Sequence, residues 1–223
     1  MNVVYLLLGG VIGYFFGAVP FGWIFVKITR GLDLRQVKSG RTGGTNAMRA
    51  AGPVVGGLTA VGDVLKGAAA IWIARAVFGS VLPDVWLPWA EIVVGLFTII
   101  GHNWSIFLGW CGGAGTGPNV GWAAAVWWPM ALVGAIVVGG MLLLTGMASV
   151  ASLTMAAIIP LIFAILYFAG VIATPAYIVG GILTGLVVVW SLRPNIKRII
   201  EGNERIVGPA ARRQKLKTRR SEG

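Results

Sequence analysis

Residues 119–192 read NVGWAAAVWWPMALVGAIVVGGMLLLTGMASVASLTMAAIIPLIFAILYFAGVIATPAYIVGGILTGLVVVWSL, without one Asp, Glu, Lys, Arg or His. A helix crosses the hydrocarbon core of a bilayer in about 20 apolar residues, so this stretch predicts several membrane spans in succession. Working outward, further apolar runs cover 3–26, 53–79 and 88–109, and the quoted stretch itself divides into 119–145, 147–169 and 172–192. The whole chain is 57% apolar and only 11% charged, against about a quarter charged in soluble domains. That balance excludes a disordered chain, a collagen and an ordinary cytosolic enzyme. It predicts an all-α, polytopic transmembrane helical bundle forming one domain over 1–223.

The charges that remain set the topology. There are 18 Lys and Arg against 7 Asp and Glu, a net charge of +11. Lys27, Arg30, Arg35, Lys38, Arg41 and Arg49 face only Asp33 in the loop after the first run. By the positive-inside rule that loop is cytoplasmic, so the N-terminus lies outside. The end of the chain, including the basic tail 206–223, is cytoplasmic by the same rule, and its charge suits anionic headgroups rather than nucleic acid. Both ends together require an odd number of crossings, whereas six runs give an even one. Pro129 in Trp127-Trp128-Pro129-Met130 is the expected break, because proline removes a helix donor and clashes with the preceding turn. The reading is therefore about seven segments, some short, with the first run retained rather than cleaved as a signal. Gly9, Gly13 and Gly17 repeat every four residues in the first run, a spacing that lets a neighbouring helix approach closely.

With the quoted stretch uncharged, chemistry is expected elsewhere, in three polar islands. The first is Lys38-Ser39-Gly40-Arg41-Thr42-Gly43-Gly44-Thr45-Asn46-Ala47-Met48-Arg49. Its glycines permit tight turns with free N–H groups, and its hydroxyls and cations suit a phosphate. A solvated basic loop would look the same. The second joins Gly101-His102-Asn103-Trp104-Ser105 to Gly109-Trp110-Cys111-Gly112-Gly113-Ala114-Gly115-Thr116-Gly117-Pro118-Asn119. It lacks the Gly-Lys-Ser/Thr ending of a nucleotide-binding loop. His102 suits either a general base or a structural hydrogen bonder. The third runs from Arg193 through Asn195 to Glu204, with Lys197 and Glu201 four residues apart. It reads as a short interfacial helix or as part of a site. Inside the second span, Asp63 and Lys66 share a helix face, and charges at such depth are either functional or a fold-specifying pair. One cysteine, Cys111, and one histidine leave no disulfide and no metal centre to expect.

These islands, in this order, resemble the acyl-phosphate-dependent glycerol-3-phosphate acyltransferases, integral membrane enzymes of bacteria. The likeness is carried by Val19-Pro20-Phe21-Gly22, Gly31-Leu32-Asp33-Leu34-Arg35, Ser39-Gly40, Gly44-Thr45-Asn46 with Arg49, Asp63 with Lys66-Gly67, Gly101-His102, Gly112-Gly113 with Gly115, and Asn195-Ile196 through Gly202 and Glu204. The resemblance implies a seven-segment bundle in the inner membrane with its motif loops cytoplasmic. It implies acyl transfer from acyl phosphate to the 1-hydroxyl of glycerol 3-phosphate, giving lysophosphatidic acid, without metal, cofactor or covalent acyl-enzyme. His102, Asn195 and Glu204 would be catalytic. Ser39, Gly40, Arg41, Thr45, Asn46, Arg49, Gly112, Gly113 and Gly115 would bind the substrates. Both lysines of the family's second motif are absent here, replaced by Cys111 and Ala114. The asparagine that follows Ser-Gly in the family is Arg41, so the cation gained at 41 is expected to compensate the one lost at 114. Two rival readings are a non-catalytic or altered-specificity paralogue binding an anionic lipid or phosphate, and a small membrane transporter.

Overall fold

A computed structural model of the chain describes residues 2–207 and Ala211. Of the basic tail 206–223, all but Ile206, Val207 and Ala211 lies outside the described residues. The described chain is all-helical: α1 (Asn2–Ala18), α2 (Phe21–Arg30), α3 (Gly44–Ala51), α4 (Pro53–Phe78), α5 (Leu87–Asn103), α6 (Thr116–Val126), α7 (Pro129–Thr145), α8 (Ala148–Phe168), α9 (Ala176–Ser191) and α10 (Arg193–Ile200), with single 3₁₀ turns at Leu34–Gln36 and Ile106–Leu108. Val3–Arg30, Pro53–Phe78 and Ala148–Phe168 are long and apolar enough to cross a membrane alone, and α9 joins them when taken with α10, bent from it by 65°. The remaining apolar segments are shorter.

Contacts between the helices give their directions. Gly13 and Gly17 of α1 pack on the Val94 and Thr98 backbone of α5, so these two run parallel. Lys66 meets His102 and Arg75 meets Glu91, so α4 opposes α5. Helix α6 parallels α4, with Gly67 on Pro118 and Arg75 on Ala125. Val120 faces Gly134 across the α6–α7 turn, and Thr116 bonds Ser152 while Trp122 stacks on Phe163, placing α8 parallel to α6. Ala156 and Pro160 of α8 meet Gly185 and Gly181 of α9 in reverse order. With α2 prolonging α1, the segments α1, α4, α5, α6, α7, α8 and α9 therefore alternate in direction.

Two apolar runs are broken, one as expected and one not. The run 119–145 divides at Trp127-Trp128, and Pro129 opens α7 at a position where a missing N–H costs no helical hydrogen bond. The run 3–26 is also interrupted, at Val19-Pro20, because the proline disfavours helical backbone in the residue before it and cannot donate. The carbonyls freed there are satisfied by side chains from α4 and from the segment after α5: Ser105 Oγ donates to Ala18 O at 2.6 Å and Lys66 Nζ to Val19 O at 2.8 Å. The early end of α6 is treated alike, since Arg75 Nη1 donates to Ala125 O at 2.9 Å. That arginine also pairs through Nε with Glu91 Oε1 at 2.8 Å, and Tyr177 OH donates to Glu91 Oε2 at 2.8 Å. This tie of α4, α5, α6 and α9 went unread in the sequence, where its members stand singly in different runs.

The core lies between α5, α6, α8 and α9, with Trp122 stacked on Phe163 at 5.3 Å and Phe163 against Tyr177 at 5.7 Å. The glycine stripe of α1 is a packing feature, because a Cβ at Gly17 would collide with the Thr98 carbonyl. Gly17→Val is expected to cost about 1–3 kcal/mol, read as a lower unfolding midpoint in detergent. Gly139→Ala, where a Cβ meets nothing within 4 Å, is expected to leave the midpoint unchanged or raised.

Candidate active site

The first island folds around Asn46. Its side chain is buried, and Nδ2 donates to Val37 O and Arg41 O, both at 2.9 Å, and to Leu34 O at 3.3 Å. Three carbonyls on one amide draw the loop into a tight turn, in which Lys38 and Gly40 take left-handed backbone at φ 45° and 70°. Ser39 Oγ accepts from Arg41 N at 3.4 Å. Below the turn, Asp33 accepts from Trp23 Nε1 at 3.1 Å and pairs with Arg35 at 2.6 Å. The Arg35 guanidinium holds that carboxyl well below the usual carboxylate range.

Arg41 connects this loop to the other two islands. Its Nη1 donates to Gly113 O at 2.8 Å and Ser191 Oγ at 3.0 Å, and its Nη2 to Ser191 O at 2.6 Å and Asn195 Oδ1 at 3.3 Å. Thr42 N adds a bond to Gly112 O at 3.2 Å. In the third island Asn195 Nδ2 donates to Glu204 Oε1 at 2.7 Å, Ser149 Oγ reaches the same oxygen at 3.0 Å, and Arg198 Nε donates to Oε2 at 2.9 Å. Glu204 and Asn195 are buried. Carboxylate oxygens accepting this many bonds sit in their charged form. Partial burial works to raise the Glu204 carboxyl, but the bonds from Asn195, Arg198 and Ser149 outweigh it and hold it below the usual 4.5. Burial lowers Arg41 and Arg49 from the ordinary guanidinium value, and Arg205 lowers both further.

One cavity of about 610 Å³ collects these groups. Its polar end is lined by Ser39, Arg41, Thr45, Asn46, Arg49, Asp63, His102, Asn195 and Glu204, all singled out by the sequence, together with Arg205. Arg41, Arg49 and Arg205 on the cavity wall, and Arg198 paired to Glu204 at 2.9 Å, thus outnumber the carboxylates Glu204 and Asp63 there. Such a surplus in a partly desolvated mouth attracts anions. The opposite wall is apolar, formed by Val61, Val64, Val120 and the α7 stripe Ala131, Gly134, Ala135, Val138 and Leu142.

Gly40, Gly112, Gly113 and Gly115 are not on the cavity wall, nor is Lys66. The glycines serve through backbone: Gly112 and Gly113 supply the carbonyls that hold Thr42 and Arg41. Lys66 lies behind the wall, 2.9 Å from Asp63 Oδ1 and 2.8 Å from His102 Nδ1. Ala114 does line the cavity, so the position of the missing lysine faces the site, while Cys111 is exposed. The expectation that the uncharged stretch 119–192 holds no chemistry is corrected in part. Ser149 orients Glu204, Ser191 anchors Arg41, and Ser152 lines the cavity beside Thr116. Single serines within apolar helices carry no signal that separates them from packing residues.

Arg41→Asn is expected to lower kcat/KM about 10- to 100-fold, the loss of one to two charged hydrogen bonds. Adding Ala114→Lys returns a cation beside Gly113 and is expected to recover most of that loss. Steady-state kinetics of both variants decide whether Arg41 acts by its charge or only as a tie. Because the folded Glu204 carboxyl is below its unfolded value, its contribution to stability is complete above pH 4.5 and is lost as pH falls through the lower folded value. Glu204→Gln is expected to flatten this acid limb of the unfolding midpoint.

Comparison with known proteins places the chain. The family model for glycerol-3-phosphate acyltransferase matches residues 7–202. A glycerol-3-phosphate acyltransferase of Gloeobacter violaceus is 34% identical, over 89% of this chain and 93% of that protein. One from Prochlorococcus marinus is 33% identical over 93% of this chain and 99% of its own length. Among solved structures, that of PlsY, an integral membrane glycerol 3-phosphate acyltransferase, in its glycerol 3-phosphate form is 32% identical, with a TM-score of 0.76 over 91% of this chain and 96% of that one. Its lysophosphatidic acid form gives 30% identity and a TM-score of 0.74 over 91% of this chain and 95% of that one. With three polar islands drawn onto one cavity of a helical membrane bundle, the chain belongs to the glycerol-3-phosphate acyltransferase family.

Proposed function

We propose that this multi-pass membrane protein transfers a fatty acyl group from acyl phosphate to the 1-hydroxyl of glycerol 3-phosphate. The observation that carries this reading is the division of the cavity, cationic at one end and apolar along the other. Both substrates are anionic at the head, and one carries an acyl chain that only an apolar wall can accommodate. In the reaction the hydroxyl oxygen attacks the acyl carbon, the carbon–oxygen bond to phosphate breaks, and the hydroxyl proton leaves on the phosphate. An acyl phosphate already contains its leaving group, so holding the two heads in line supplies much of the rate. Arg49, Ser39 and the α3 start at Gly44 and Thr45 would hold phosphate. Arg41, Asn195 and Glu204 would keep that mouth in shape.

Basic loops on one side of the bundle support a cytoplasmic site in the inner membrane of a bacterium, with the N-terminus outside. The uncharged Ala114 on the cavity wall favours one rival, a relative that binds these anions without turnover. The deciding experiment gives detergent-purified protein palmitoyl phosphate and labelled glycerol 3-phosphate, with Ser39→Ala/Arg49→Ala as control. Labelled lysophosphatidic acid that disappears in the control is expected. No product from folded protein that still binds glycerol 3-phosphate would overturn the acyltransferase reading in favour of the rival.

A further inference from the structure

The single histidine of the chain is held in a way that restricts what it can do. His102 is buried at the end of α5, with its ring nitrogen Nδ1 at 2.8 Å from Lys66 Nζ and 3.5 Å from Asp63 Oδ1. Lys66 Nζ has three neighbours in all: Nδ1, Val19 O at 2.8 Å and Asp63 Oδ1 at 2.9 Å. An ammonium has three N–H bonds and no lone pair. Paired with a buried carboxylate, Lys66 keeps its charge, and Nδ1 must then receive the hydrogen bond through its lone pair. The ring proton is left on Nε2. Protonating Nδ1 as well would set an N–H against an ammonium, with the Arg41 guanidinium adding a further like charge nearby.

The other nitrogen is oriented toward the second island. A Cβ at Gly113 would fall on Nε2, so the absence of a side chain there leaves room for the ring edge. His102 itself lines the cavity, and Gly113 N donates to His102 O at 2.9 Å, fixing the loop against the ring.

We infer that the Lys66–Asp63 pair locks His102, a residue of the cavity wall, as a neutral Nε2–H hydrogen-bond donor at the second island. Resting on the acyl-transfer reading, His102 donates to an oxygen of the acyl phosphate on which negative charge develops, as a preorganised donor does. It is not the general base, because Nε2 already holds a hydrogen and Nδ1 is occupied; the proton of the attacking hydroxyl goes to the leaving phosphate. Lys66 and Asp63 are positioning residues that act through the ring. The same tie sets the pair at the level where the Val19-Pro20 break exposes a carbonyl.

With one histidine, nitrogen NMR of the ring needs no assignment. Protein labelled with ¹⁵N-histidine and purified without a histidine tag is measured in detergent near neutral pH. A pyrrole-type Nε2 and a pyridine-type Nδ1 are expected. A protonated Nδ1, a mixture of tautomers or an imidazolium would overturn the lock. In the kinetic arm, His102→Ala is expected to lower kcat about 100- to 1,000-fold. His102→Gln, which keeps a side-chain N–H of similar reach, is expected to keep at least about a tenth of wild-type kcat, a gap of no more than about 1.4 kcal/mol. Gln as inactive as Ala, with the expected tautomer in the wild type, would overturn the donor role. Lys66→Met is expected to release the second tautomer in the same spectrum, and an unchanged ring in folded Lys66→Met would overturn the role of the lysine. The spectrum is independent of turnover, so an inactive wild-type protein with the expected tautomer refutes the acyl-transfer reading and not the lock.

Discussion

The ammonium of Lys66 is the constraint on which the arrangement turns. It lies near the centre of a bundle whose surroundings are apolar, where an unpaired cation is not tolerated. Three groups from three helices accommodate it: the carboxylate of Asp63 on its own helix α4, the ring of His102 on α5, and the Val19 carbonyl left free where α1 breaks. Each partner needs the others. Without the proline break there is no free carbonyl, and without the carbonyl and the ring the ion pair is short of partners. Removing one member of such a buried pair typically costs about 3–5 kcal/mol, because the remaining charge is left without compensation. The pair therefore fixes how α1, α4 and α5 meet, and through His102 it fixes where the second island begins.

Arg41 performs the corresponding task one layer nearer the surface. A partly buried guanidinium with fixed donor geometry can satisfy several carbonyls at once, which an ammonium on a flexible stem does less well. Here it collects Gly113, Ser191 and Asn195. Three loops that are distant in sequence thus share one cation, and the rest of the positive charge, on Arg49 and Arg205, is left facing the cavity.

The fold was largely legible because lipid imposes a coarse rule: apolar length and flanking charge specify spans and direction. The Pro129 break was legible for the same reason, since a proline after two tryptophans interrupts a run too long for one helix. The Val19-Pro20 break was not, because that run is of ordinary span length and the sequence does not show that Lys66 and Ser105 stand ready to satisfy its carbonyls. Within the site, the charged and glycine-rich positions announced themselves, and Ser39, Arg49, His102, Asn195 and Glu204 do meet on one cavity. Ser149 and Ser191 stayed silent, as did the Arg75–Glu91–Tyr177 tie, because each depends on a partner from a remote segment. Distinguishing a base from a donor at His102 likewise required knowing which atom faces Nδ1.

The shortness of α6 has a consequence for the surrounding lipid. Its 11 residues give a rise of about 16 Å, against a hydrocarbon thickness of about 30 Å. Where the helix stops, Arg75 occupies the Ala125 carbonyl, and the chain turns back through Trp127 and Trp128 into α7. No residue of α6 is exposed, so the segment that meets the bilayer on that flank is α7, through Leu132, Ile136, Leu143 and Leu144, and its 17 residues rise about 26 Å. Hydrophobic mismatch of this kind is relieved by local thinning of the bilayer. Since α7 also supplies the Ala131, Gly134, Ala135, Val138 and Leu142 stripe of the cavity, the elastic state of the bilayer and the shape of the chain-binding surface are mechanically linked.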